Sequence, residues 1–296
     1  MHEIEIYRQI IASCDEALRD VFLRRMEASI SIARSKLDRG EPLYDAAHEK
    51  ELLDSMSRGL PPELALKARM LWKSLLRMSR NRQCRVFLEL DESLKLWHED
   101  FLSSAAPQGP CCCTAGASAD VKNALHAEPL IVSSPEAGLD LVKEGKAEWC
   151  AVPLSGFYKT DWLYDFLNDK QLYLNEIVPL REDAFLAVIS RKLIHDPSRD
   201  EVICAVFNMP SESGSLAYAL SILADNKQNM EFLHMQKKDD ADDMHQFFLY
   251  LDFDGCLSSM DTRAALYQLQ MEMPYFRIVG CRRAVDLVGA GSSAAK

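Results

Sequence analysis

Between Pro61 and Glu89 the apolar residues Leu64, Leu66, Ala68, Leu71, Leu75, Met78 and Cys84 recur at roughly helical spacing, with no glycine between them. Pro61 and Pro62 stand at the entry, where a helix tolerates proline because its first N–H groups have no intrahelical partner. The pattern predicts a helix from this pair to at least Glu89, with Leu102 as its outer bound. Glu3 to Arg39 contains neither proline nor glycine, and breakers first appear at Gly40 and Pro42. Roughly 36 residues can therefore run as one helix about 54 Å long. That is too long to be buried within one small domain, so the helix needs a partner, from a second copy of the chain. A shorter helix is predicted from near Asp45 to Gly59, a glycine placed to end it. Residues 1–102 thus read as an all-α, three-helix domain.

Beyond this point the period changes. Ser103 to Pro110 is a small-residue, Pro/Gly stretch, and 103–118 is predicted to be a linker. Short apolar runs at Pro129–Val132, Trp149–Pro153 and Ala184–Ile189 read as strands, and Pro135–Gly145 and Asp161–Asn168 as helices. Residues 119–196 are therefore expected to be a small α/β domain. From 200 to 285 the expected order is strand (Val202–Asn208), helix (Gly214–Asp225), strand (Met230–Gln236), strand (Phe247–Asp252), helix (Asp261–Met271), strand (Phe276–Cys281). That is the βαββαβ order of a ferredoxin-like α+β domain. The small, polar tail 286–296 is expected to be disordered.

The formal charge of −11 argues against nucleic acid or an anionic membrane as a general partner. Residues 1–100 are nearly neutral, with 17 Lys+Arg against 18 Asp+Glu, whereas the remainder holds 17 against 27. This contrast fits separate domains with separate tasks. No apolar run approaches the ~20 residues needed to span a bilayer, and the acidic N-terminus lacks the order of a secretory signal. Nine cysteines, an odd number, are scattered apart from Cys111–Cys113. Free thiols in a cytoplasmic protein are the simplest reading. No His or Cys lies at zinc-like spacing from the triple cysteine, so it reads as small apolar residues of a strand or linker. No metal or cofactor is expected.

The polar residues of the helical third form a pattern. Arg25 and Lys36 are eleven apart and share one helix face, while Arg8 lies seventeen before Arg25 and points about 100° away. Arg8 is thus placed to reach the site of a helix packed alongside. Asp45 and Glu49, with His48 between them, form an i,i+4 pair, as do Ser79 and Gln83. Taken singly, these are ordinary solvated positions. Together they resemble the all-helical chorismate mutase family: Tyr7-Arg8-Gln9-Ile10 is similar to its helix-one opening, and Arg24-Arg25 with Lys36 to its Arg…Lys spacing. Pro42-Leu43-Tyr44-Asp45-Ala46-Ala47-His48-Glu49 and Ser79…Gln83 resemble its second and third motifs. His48 stands where that family usually has arginine, and a neutral imidazole supplies no permanent charge.

The resemblance implies the Claisen rearrangement of chorismate to prephenate in an intertwined homodimer. In this reading Arg25 and a partner's Arg8 hold the substrate carboxylates. Lys36 and Gln83 donate to the ether oxygen, Asp45, His48 and Glu49 serve the hydroxyl region, and Ser79 bonds a carboxylate.

The rest of the chain resembles the bifunctional chorismate mutase–prephenate dehydratase arrangement. Gly138 to Val152 is similar to a dehydratase segment, and Phe185 to Ser190 to the strand after that family's Thr-Arg-Phe motif. Asp183-Ala184 occupy the Thr-Arg positions, Leu154-Ser155-Gly156 follow Pro153, and the region is about half the usual size. A dehydratase remnant without activity is expected, with an active bifunctional enzyme and a non-catalytic regulator as alternatives. The last domain is similar to the ACT module. Gly214, Ser215 and Leu216 match its ligand turn, implying an aromatic amino acid as effector, although Leu233 to Lys238 depart from the Glu-Ser-Arg-Pro strand.

Overall fold

The computed structural model describes residues 3–91, 93–94, 96–104, 107–155, 161–181, 184–198, 201–209, 213–238 and 246–284. It divides into two compact units, Met1–Leu94 with Ala264–Glu272, and Lys95–Arg263 with Met273–Lys296. The tail expected at 286–296 lies outside the described residues.

The first unit is built on α1 (Glu3–Arg39), α2 (Ala46–Ser57) and α3 (Pro62–Leu90). Helix α1 ends because Gly40 takes a left-handed φ of +63°, which lets Glu41 N–H reach Lys36 O at 2.9 Å and Gly40 N–H reach Leu37 O at 3.1 Å. Asp45 starts α2 by accepting the His48 N–H at 3.0 Å. The core joins Ala33, Leu43, Cys84, Val86 and Phe87 to Tyr267 and Met271 of the second segment. Burial pushes the Tyr267 phenol up to about 12, with Cys84 and Asp91 adding to it. The N-terminal half of α1 is bare: Ile4, Tyr7, Ile10, Ile11, Leu18 and Val21 are each more than half exposed.

The second unit carries β1 (Leu102–Ser103), β2 (Cys111–Thr114), α4 (Ser118–Leu125), β3 (Pro129–Val132), α5 (Pro135–Lys143), β4 (Trp149–Ser155) and α6 (Asp161–Lys170). It continues with β5 (Tyr173–Arg181), β6 (Ala184–Ser190), β7 (Leu193–Ile194), β8 (Glu201–Met209), α7 (Ser215–Asp225), β9 (Met230–Lys238), β10 (Gln246–Asp254), α8 (Met260–Glu272) and β11 (Tyr275–Arg283). From Ala264 onward α8 belongs to the first unit. Strands β1 and β7 pair alone, and the other nine form one sheet in the order β3-β2-β4-β6-β5-β11-β8-β10-β9. Its last four strands run fourth-first-third-second in their own chain order, the ferredoxin-like arrangement.

Two features depart from the divisions drawn on sequence. Strand β2 forms inside the stretch read as a linker, with Cys111, Cys112 and Cys113 buried between β3 and β4. The middle and C-terminal regions also share one sheet and one core: Cys112, Leu139, Leu174 and Ile189 cluster with Cys204, Val206, Tyr250 and Val279. The join is β5 beside β11, in parallel, where Gly280 opposes Leu174. A Cβ on Gly280 would stand 2.6 Å from Leu174 O, so only glycine lets the strands approach this closely. Behind the join, buried Arg282 pairs with Asp252 at 3.0 Å, and Tyr164 donates to the same carboxylate at 2.9 Å. That charge pair is thus hydrogen-bonded as well as buried.

Candidate active site

Helices α1, α2 and α3 bring most of the singled-out residues together. Arg25 of α1 donates through Nη1 to Ser79 Oγ and, at 2.9 Å, to Leu75 O, both on α3. Ser79 in turn donates to Leu75 O at 2.8 Å. Four residues further along α3, buried Gln83 donates through Nε2 to Ser29 O of α1 at 3.3 Å. Lys36 Nζ reaches Leu43 O at 2.8 Å, which ties the end of α1 to the approach to α2. The i,i+4 spacing of Ser79 and Gln83 therefore aims both side chains at α1.

Glu49 enters from α2. Its carboxylate pairs through Oε2 with Nη1 of Arg80, the residue after Ser79. Burial lowers the pKa of Arg25, while the Glu49 charge opposes that shift. The unit thus gathers two guanidinium groups, a carboxylate, a hydroxyl and an amide among three helices. Such a set orients an anionic ligand and stabilises developing negative charge, without a nucleophile–base pair.

Three residues stand apart. Arg8 is exposed and pairs with Glu5 at 3.6 Å. Asp45 and His48 are exposed, and the Asp45 carboxylate serves as the α2 cap. Arg80 is the residue that sequence reasoning missed. It is buried and stacks over the Tyr44 ring at 5.2 Å. Its place one residue past Ser79 was the available signal, because that step on a helix turns toward α2.

Two further clusters lie in the second unit. His195 Nδ1 and Glu201 Oε2 are 2.7 Å apart, and Cys281 completes a set whose potential ligand atoms all lie within 4.8 Å of one another. Glu201 also accepts the Asp196 N–H at 2.8 Å, so these contacts already stabilise a buried carboxylate. A cavity of about 390 Å³ is lined by Ser103, Gln108, Glu148, Ser190, Arg191 and Lys192. Arg191 there is held by Glu148 and Val142 O, each at 2.9 Å. The turn at Gly214 takes φ +90° and opens onto free space, and Ser215 and Leu216 begin α7 behind it. Of the dehydratase-like positions, Gly156 and Asp183 lie outside the described residues.

Residues 7–84 match the family model for chorismate mutase type II. No curated protein sequence matches the chain. Among solved structures, one described as GqqA, a novel type of quorum quenching acylase, is 17% identical with a TM-score of 0.50, covering 59% of this chain and 95% of that one. That likeness is one of fold. The prephenate dehydratase from Arthrobacter aurescens, in complex with L-Phe, is 13% identical with a TM-score of 0.49, over 60% of this chain and 91% of that one. The prephenate dehydratase from Streptococcus mutans is 14% identical with a TM-score of 0.49, over 60% of this chain and 100% of that one.

Proposed function

We propose that the protein converts chorismate to prephenate with the side chains gathered between α1, α2 and α3, within residues 7–84 that match the chorismate mutase type II model. The observation that carries this reading is the convergence of Arg25 and Ser79, of Gln83 with α1, and of Glu49 with α3. The rearrangement is unimolecular. It is accelerated by holding the substrate in its reactive chair and stabilising charge on the breaking C–O bond. Arg25 and Ser79 take one carboxylate, and Arg8 of a second copy takes the other. Lys36 Nζ and Gln83 Nε2 exchange their backbone acceptors for the ether oxygen. Glu49 takes the substrate hydroxyl, with Asp45 holding the start of its helix. His48 leaves its position without a fixed charge.

The exposed apolar residues of α1 support a homodimer, in which a second helix of the same kind would cover them. The middle region is proposed to lack dehydratase activity. The βαββαβ region acts as an ACT-like module, with Gly214, Ser215 and Leu216 as the turn for an aromatic amino-acid effector. A cytoplasmic location belongs to the same reading.

Loss of chorismate absorbance, followed by a test for phenylpyruvate, examines this directly. Conversion that stops at prephenate is expected. Unchanged chorismate would reject the mutase reading, and phenylpyruvate would reject the inactive middle region.

A further inference from the structure

Arg80 is held from two sides. Its Nη1 pairs with Glu49 Oε2 from α2. Its Nε and Nη2 donate to Glu272 Oε1 at 2.7 Å and Oε2 at 3.1 Å, a bidentate pair with the last residue of α8. Both side chains of that pair are nearly sealed from solvent, at 6% exposure for Arg80 and 3% for Glu272. Gln268, one turn earlier on α8 and fully buried, donates to Glu272 Oε1 at 2.8 Å and accepts from Asn81 of α3 at 3.3 Å. It also donates to Arg77 O at 3.3 Å. The end of α8 is therefore fastened to α3 on either side of Ser79, although the bonded residues lie about 190 positions apart in the chain.

This fastening has a consequence for Glu49. A guanidinium offers five N–H donors in a fixed plane, and carboxylates compete for its two-pronged edges. Glu272 occupies the Nε/Nη2 edge. Glu49 is held at the other end of the same guanidinium, where its Oε2 pairs with Nη1. Without Glu272 the guanidinium loses the bidentate contact that fixes its plane, and the hold of Nη1 on Glu49 loosens with it.

We infer that Glu272 is a positioning residue of the mutase site: it fixes the Arg80 guanidinium, and Arg80 in turn holds the Glu49 carboxylate in place for substrate. This rests on the function proposed above, in which Glu49 takes the substrate hydroxyl. Because Glu49 contacts a group that does not react, the expected loss falls on binding more than on the chemical step.

The test compares full-length wild type, Glu272→Gln and Glu272→Ala. A rise in chorismate KM of about tenfold with kcat within about twofold is expected for Glu272→Ala, and a smaller rise for Glu272→Gln, which keeps one acceptor for Arg80. A fall in kcat at unchanged KM, or no change in either, would overturn the inference. A second measurement does not depend on turnover. Thermal midpoints of Glu49→Gln, Glu272→Gln and the double variant should be non-additive, because both carboxylates share one guanidinium. Additive shifts reject the arrangement. Non-additive shifts in a protein inert toward chorismate would keep the coupling and reject only the mutase reading.

Discussion

Lys36 Nζ and Gln83 Nε2 each donate to a backbone carbonyl, of Leu43 and Ser29, at 2.8 and 3.3 Å. Both donors are thus held in place before any ligand arrives, which limits the reorganisation needed at the moment of reaction. Replacing either by alanine should reduce kcat by about 10²- to 10³-fold, the usual consequence of losing one preorganised donor. Circular dichroism should show the helical content unchanged. Near-normal kcat/KM in both variants would remove these two residues from the mechanism. His98 makes a different prediction. It is 1% exposed, and burial, with neighbouring Arg263 and His195 adding to the effect, depresses its pKa to about 4. The unfolded chain therefore takes up this proton first, near pH 6.5. Stability is fully present above that pH and declines as pH falls toward 4, by about 3 kcal/mol from this group alone. A His98→Asn variant should show a shallower fall of Tm across that window than wild type. Parallel curves would place the acid sensitivity elsewhere.

Among the elements, the seam between β5 and β11 has the least room. An added methyl at Gly280 meets Leu174 O at 2.6 Å and Leu174 Cβ at 2.9 Å, both fixed by the sheet. Gly280→Ala should cost about 1–3 kcal/mol, as overpacking does in a closed interior. In a chain of this size that lowers Tm by several degrees. Gly116→Ala, where an added Cβ meets nothing within 4 Å, is the control expected to stay near wild type. The same seam explains what the sequence revealed and what it concealed. Helices α1, α2 and α3 were legible because their breakers, caps and period are local signals. Strands β8 to β11 and helices α7 and α8 were legible for the same reason. Strand β5 was not, since Asn175, Glu176 and Pro179 interrupt its apolar run. Its partnership with β11 is set by a glycine a hundred residues away. The site divides likewise. Arg25, Ser79, Gln83 and Glu49 were legible through their spacing taken with the resemblance to the chorismate mutase family, whereas the pairing of Arg80 with Glu272 joins residues that no local pattern connects.

At the scale of the whole molecule, Arg8 decides whether catalysis and assembly are one property. It lies on the exposed part of α1 with Tyr7, Ile10 and Ile11, and it pairs with neighbouring Glu5. An apolar stripe of this length calls for a second helix, and two copies related by a twofold axis would bring each Arg8 to the partner's Arg25 and Lys36. If so, Arg8→Ala and Lys36→Ala homodimers are both impaired, yet they damage sites in complementary ways. After subunit exchange at equal amounts, about half the dimers are mixed. Each mixed dimer has one site carrying both substitutions and one carrying neither, so about a quarter of all sites become intact. Mixing should therefore raise chorismate turnover well above that of either variant alone, toward a quarter of wild type. If Arg8 served its own chain, the mixture would give only the average of the two impaired enzymes. Sedimentation at the assay concentration establishes that the exchanged species is a dimer, and a fully active monomer would reject the shared site outright.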